Sequence, residues 1–189
     1  HRMGKWVAES KTHVSSMAGH DFYANETSTT IAAAQAGGAK ITFTGADGAE
    51  TVLKSGLSYI EGEVVDATFL SAAELRKFIA AEIAATEPGV LFSVHLKATM
   101  MKVSDPILFG HFVSVYLEDF IAKHGAALND LGWNPNSGIG DLEARIAGNA
   151  ALEADLKAAM AARPPLYMVN SDKGITNLHV SSDVIIDAS

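Results

Sequence analysis

Three side chains stand out as carriers of chemistry: Lys97, Asp183 and Asp187. Lys97 closes the run Val90-Leu91-Phe92-Ser93-Val94-His95-Leu96. In an extended chain Val90, Phe92, Val94 and Leu96 face one way, and Leu91, Ser93, His95 and Lys97 the other. A lysine at the end of such a strand either snorkels to water or has its pKa drawn down by burial and neighbours into a range useful for proton transfer. Asp183 and Asp187 bracket the apolar triplet Val184-Ile185-Ile186. Residues four apart share a face on a strand and on a helix. Carboxylates are the hard oxygen donors that Mg²⁺ or Mn²⁺ takes, usually one or two from the protein. An N-cap and an ordinary rim carboxylate would use the same two residues, and pattern alone leaves both readings open.

Other candidates are weaker. His13, His20, Asp21 and Glu26 fit no tight ligand spacing, and Glu9 with His13 is only one pair. His111 sits among apolar residues, where a lone histidine is more often a satisfied core or rim residue than a ligand. Glu63 and Asp66 read as solvated charges on a strand flank. Gly138-Ile139-Gly140 lacks the third glycine and the strand-then-helix context of a dinucleotide loop.

The elements that must position these residues follow from periodicity. Lys40–Thr44 and Glu50–Lys54 alternate with period two across the turn Gly45-Ala46-Asp47-Gly48-Ala49, which predicts a β-hairpin. Gly62–Leu70 reads as a further strand. Ser71-Ala72-Ala73-Glu74 is a capping box, and Leu75, Phe78, Ile79 and Ile83 form the apolar stripe of the helix behind it. Strand, helix and the Lys97 strand in succession suggest an α/β crossover. Ser104-Asp105-Pro106 opens a second helix, apolar at Leu108, Phe112, Val115, Phe120 and Ile121, with an ending expected near Lys123-His124-Gly125. Leu142–Ile146 and Asn149–Ala162 are helical, and Leu166–Val169 is a strand introduced by Arg163-Pro164-Pro165.

The expected fold is α/β: a mixed β-sheet flanked by helices, with the hairpin in the N-terminal half and the Lys97 strand central. Residues 1–36 form a peripheral lead-in and residues 37–189 the sheet and helices of a single, partial domain. The chain has 189 residues and a hydrophobic content of 48%, enough for a real core. It lacks cysteine, which excludes a disulfide framework. A formal charge of −8 argues against a nucleic-acid or anionic-membrane surface. No apolar run is long enough to span a bilayer. An opening on His1, with no signal-peptide pattern, suggests a piece of a longer protein.

The wording of several stretches carries more than their pattern. His95-Leu96-Lys97-Ala98-Thr99-Met100-Met101-Lys102-Val103-Ser104-Asp105-Pro106 closely resembles a segment of the monomeric NADP-dependent isocitrate dehydrogenases of bacteria. Met3-Gly4-Lys5-Trp6, Ser10–Val14 and Gly19–Tyr23 echo the same family in the same order, and the likeness is strong again over residues 168–189. One departure is Ser181, where the family's usual wording has proline; this alters loop stiffness rather than chemistry.

The resemblance implies a fragment of the large domain of an isocitrate/isopropylmalate dehydrogenase-like fold. It implies a parent enzyme that oxidises isocitrate with NADP⁺, loses CO₂ and releases 2-oxoglutarate, with Mg²⁺ or Mn²⁺ at the reacting oxygens. Lys97 falls on the catalytic lysine and Asp187 on a metal ligand; Asp183 is a weaker candidate beside the metal. The residues that clamp isocitrate and most of those that bind NADP⁺ would lie in the rest of the same polypeptide. This chain has four arginines, Arg2, Arg76, Arg145 and Arg163, and they form no cluster in sequence. The expected location is the cytoplasm. The fragment alone is expected to be inactive, and its cut sheet edges to favour self-association. The alternative from a different class is a non-enzymatic α/β scaffold or interaction module derived from the same family.

Overall fold

The computed structural model describes residues 5–96 and 103–181. Lys97, Lys102, Asp183 and Asp187 lie outside the described residues. The described residues form a mixed α/β structure of five α-helices and three small antiparallel sheets. The chain gathers into two compact units, residues 18–71 and residues 1–17 with 72–189.

The smaller unit is built on two strand pairs. β1 (Thr27–Thr30) runs antiparallel to β4 (Val64–Ala67), with Thr27 opposite Ala67 and Thr30 opposite Val64. Every residue of β1 is exposed, so it carries no apolar alternation to betray it in the sequence. The pairing continues to buried Ile31, whose N–H donates to the Glu63 carbonyl at 2.9 Å. The expected hairpin is present as β2 (Gly37–Thr44) and β3 (Glu50–Tyr59). Its turn closes through the Gly45 N–H on the Ala49 carbonyl at 2.9 Å. Ser55 and Gly56 together oppose Lys40, a bulge that Gly56 permits with its φ of 71°.

The larger unit is helical. α1 (Ala72–Ala85) presents Leu75, Ile79 and Ile83 at four-residue spacing, and all three are buried. α2 (Ser104–Tyr116) begins where Ser104-Asp105-Pro106 announces it, with Asp105 favourably placed against the helix dipole. It packs on α1 and buries Phe109, Val113, Val115 and Tyr116. The single helix expected from Ser104 to about Gly125 is two: the backbone breaks at Leu117, and α3 runs over Glu118–Asp130. The apolar pattern crosses the break without interruption, since Leu117 and Phe120 are as buried as Tyr116. The Tyr116 hydroxyl donates to the Pro164 carbonyl at 2.8 Å, and burial raises its pKa to about 12. α4 (Gly138–Ile146) and α5 (Ala150–Ala161) complete the helices, with the Asn149 side chain capping α5 at the Leu152 N–H.

The N-terminal segment of this unit lies along α1. Lys11 Nζ pairs with Glu87 at 2.5 Å and Ser15 Oγ donates to Glu82 at 2.6 Å. His13 therefore stands 3.9 Å from the Glu82 carboxylate rather than facing Glu9.

The Lys97 arm departs most from expectation. Over Val90–Leu96 the described chain forms one isolated parallel bridge, Phe92 to Leu166, and no strand of a central sheet. The reason is local: the backbone of Val94 is occupied by a side chain, as set out below. The expected crossover is absent as well, because β4 takes β1 as its antiparallel partner.

Ile79 is fully buried and Lys77 largely exposed on the same helix. Ile79→Ala is expected to cost about 2–5 kcal/mol, and Lys77→Ala to stay within about 0.5 kcal/mol. Urea unfolding of the two variants measures both, and equal midpoints would refute this account of α1.

Candidate functional site

The described chain reaches the predicted site along two arms, one ending at Leu96 and the other at Ser181. The first carries buried Phe92 and Val94. Phe92 donates its N–H to the Pro165 carbonyl at 2.8 Å and accepts from the Tyr167 N–H at 2.8 Å. The second is laid down by β5 (Met168–Asn170) and β6 (Ile175–Thr176), an antiparallel pair closed by the turn through Gly174. Beyond β6 the chain turns tightly, with the His179 N–H on the Thr176 carbonyl at 3.0 Å.

Asn177 in that turn joins the two arms. Its Oδ1 accepts from the Val94 N–H at 3.0 Å, and its Nδ2 donates to the Val94 carbonyl at 2.7 Å. A carboxamide offers a donor and an acceptor side by side, as a peptide does. Here it replaces the neighbouring strand that Val94 would otherwise need. Its own N–H donates to the Tyr167 carbonyl at 2.8 Å.

The same turn meets the start of α4. The Ile139 N–H donates to the Leu178 carbonyl at 3.0 Å and the Gly140 N–H to the His179 carbonyl at 2.9 Å. Two of the free N–H groups at the helix start are thus satisfied by protein carbonyls. Gly138-Ile139-Gly140 is a packing device. A Cβ on Gly138 would stand 2.5 Å from the His179 oxygen, and one on Gly140 2.9 Å from it. The Trp133 indole N–H donates to the Gly138 carbonyl at 3.1 Å. One turn further along α4, the His179 Nε2 lies 3.1 Å from Glu143. Its Nδ1 lies 2.6 Å from the Thr176 hydroxyl.

Several other charged groups are paired within the helical unit. Asp155 binds Lys123 at 2.6 Å and His124 at 2.8 Å, hydrogen bonds that hold its carboxyl below the usual range. Arg145 binds Asp141 at 2.7 Å and the Leu131 carbonyl at 2.6 Å; Arg163 binds Asp119 at 3.1 Å. His111, half-buried on α2, is held below the ordinary histidine pKa, first by burial and then by the charge of Arg76. His95 is exposed, with its Nε2 3.0 Å from the Ser93 hydroxyl. Among the described residues no group of three or more histidine, aspartate or glutamate side chains could hold a metal ion.

The sequence singled out neither Asn177 nor His179, and for Gly138 and Gly140 it offered only a weak dinucleotide-loop reading, not their packing role. Asn177 had a visible signal, an asparagine between an apolar strand and the two aspartates. Its partner 83 residues away had none.

These features define a class: an α/β protein in which the segment ending at Leu96 and the turn at Thr176–His179 are tied together on a helical unit. Residues 1–189 match the family profile described as monomeric isocitrate dehydrogenase. The chain belongs to the monomeric isocitrate dehydrogenase family. It is 53% identical over 195 aligned residues to the isocitrate dehydrogenase [NADP] of Azotobacter vinelandii. It is 51% identical to isocitrate dehydrogenase [NADP] 2 of Colwellia maris, and 42% identical to isocitrate dehydrogenase [NADP] 2 of Mycobacterium tuberculosis. Each alignment covers all of this chain and 26% of the relative. The chain spans about a quarter of the length of the relatives it matches.

Two outcomes are expected. Gly138 and Gly148 both have positive φ, 86° and 87°, but nothing lies within 4 Å of a Cβ on Gly148. Gly148→Ala should cost the left-handed backbone term alone, about 1–2 kcal/mol. Gly138→Ala should cost clearly more, because the His179 carbonyl must move; thermal melts of the pair decide it. For His111, the native state binds a proton less readily than the unfolded chain. Stability should therefore fall as pH drops through about 6.5 and level off below the depressed native pKa. His111→Gln should flatten that slope in denaturation curves taken between pH 7 and 5.

Proposed function

We propose that this chain is part of an NADP-dependent isocitrate dehydrogenase in which Lys97 handles the proton and Asp187 holds a divalent cation, with Asp183 at or beside it. The observation that carries this reading is the double hydrogen bond between Asn177 and Val94. Val94 lies three residues before Lys97, and Asn177 six before Asp183. Extended chain reaches about 3.5 Å per residue, so Lys97 stays within about 11 Å of Val94 and Asp183 within about 21 Å of Asn177. A lysine and two carboxylates tethered to one point can share one substrate.

The reaction is oxidation of the C2 hydroxyl of isocitrate by NADP⁺, with loss of CO₂ to give 2-oxoglutarate. Two aspartates supply hard oxygen donors, and substrate and water complete the shell, a donor set that suits Mg²⁺ or Mn²⁺. When bound, the ion stabilises the negative charge that develops on the hydroxyl and carbonyl oxygens. The Lys97 Nζ gives or takes the proton at the reacting carbons. A setting with little water would make the ammonium a readier acid.

Isocitrate carries three carboxylates and calls for several cations. Arg145 and Arg163 are engaged with Asp141 and Asp119. The clamp, like most of the NADP⁺ site, is therefore assigned to the rest of the same polypeptide. Among the described residues no helix is long and apolar enough to cross a membrane. A cytoplasmic setting suits the proposed substrate and cofactor.

In the full-length polypeptide, Lys97→Met is expected to lower kcat by about 10²-fold or more, and Asp187→Asn to raise the Mg²⁺ or Mn²⁺ concentration needed for half-maximal rate. The isolated 189-residue chain should not reduce NADP⁺. Wild-type turnover by the Lys97→Met enzyme, or NADP⁺ reduction by the isolated chain, would overturn the proposal.

A further inference from the structure

We infer that Asn177 is a positioning residue of the reaction: its carboxamide fixes the lysine arm to the acidic arm, and through that tie sets the distance between proton-transfer group and metal. The inference rests on the roles proposed above for Lys97, Asp183 and Asp187.

Four observations lead to it. First, both hydrogen bonds go to the same residue, Val94, so they fix direction as well as distance. Second, Val94 is buried, and an unpaired peptide there would lack water as a substitute. Third, the turn that carries Asn177 is held from three sides. The Asn177 N–H binds Tyr167, the Leu178 and His179 carbonyls take the first N–H groups of α4, and the His179 ring lies between Thr176 and Glu143. Leu178, between the two, is fully buried. Fourth, the lysine arm has little else. Beyond its single bridge at Phe92, the described part of the arm makes no ladder with a strand. Among the described residues, the Asn177 carboxamide is the hydrogen-bonded tie that lies nearest Lys97 from outside the arm.

Loss of the amide leaves both arms in place but frees their separation. The acidic arm then presents its carboxylates to a cation at a changed position relative to Lys97. Two quantities should move together: kcat, and the metal concentration for half-maximal rate. A variant that only reduces the folded fraction lowers kcat without moving that concentration.

The test uses the full-length enzyme, with Mg²⁺ as the varied probe and NADP⁺ reduction as the readout. Asn177→Ala is expected to lower kcat and to raise the half-maximal Mg²⁺ concentration, each by about 10–100-fold. The KM for NADP⁺ should stay within about twofold. Asn177→Asp keeps the acceptor for the Val94 N–H but has no donor for its carbonyl, and serves where the alanine variant does not fold. It should move both quantities the same way. Asn177→Gln retains the amide and should recover part of the loss. Leu152→Ala in the α5 core is the control: a lowered Tm with an unchanged half-maximal Mg²⁺ concentration. Unchanged Mg²⁺ dependence in folded Asn177→Ala or Asn177→Asp, with Lys97→Met inactive, overturns the positioning role alone. Full activity in Lys97→Met overturns the reading of the site beneath it.

Discussion

A buried peptide must find hydrogen-bond partners, and the way Val94 finds them organises the larger unit. The usual solution is a neighbouring strand. Here the partner is one side chain, Asn177, which supplies donor and acceptor together. Side-chain amides rarely replace a strand because they satisfy one residue only and must themselves be held still. Asn177 meets that condition because the turn around it is anchored to Tyr167 and to α4, both at the helix start and at Glu143.

The glycines of α4 follow from the same requirement. For the Leu178 and His179 carbonyls to reach the helix start, the backbone of α4 must come closer than any Cβ allows. A helix start can bind an anion through its free N–H groups. In α4 two of those groups already bind carbonyls, so the Gly-x-Gly spacing serves packing. A second close approach, between Gly110 of α2 and Asn136, where a Cβ would stand 1.8 Å from the amide oxygen, seats the Trp133–Ser137 connection against α2. Glycine at these places is a steric necessity of element-to-element contact.

The charges tell a related story. The chain is acidic, yet within the helical unit Arg145, Arg163, Lys123 and Lys11 are each matched to a carboxylate. Exposed pairs of this kind add little to stability. Their consequence is one of availability: Arg145 and Arg163 already have carboxylate partners on their own unit.

The sequence alone carried the family, the α/β class, the hairpin of Lys40–Thr44 and Glu50–Lys54, the starts of α1 and α2 and the span of α5. These are set by short-range physics: period-two alternation around a glycine turn, an apolar stripe at four-residue spacing, and a proline at a first helical turn. It also named Lys97, Asp183 and Asp187, through a run of residue types rather than through any contact, and those three stay a matter of proposal. Tertiary structure alone decided three further things. Exposed β1 is a strand because β4 lies beside it, and the helix from Ser104 breaks at Leu117 under an unbroken apolar pattern. The lysine arm forms a single bridge because Asn177, 83 residues away, occupies its backbone. The strand and the lysine arm each depend on a partner distant in the chain, and periodicity reports a residue's neighbours within a turn or two, not the backbone that folding brings against it.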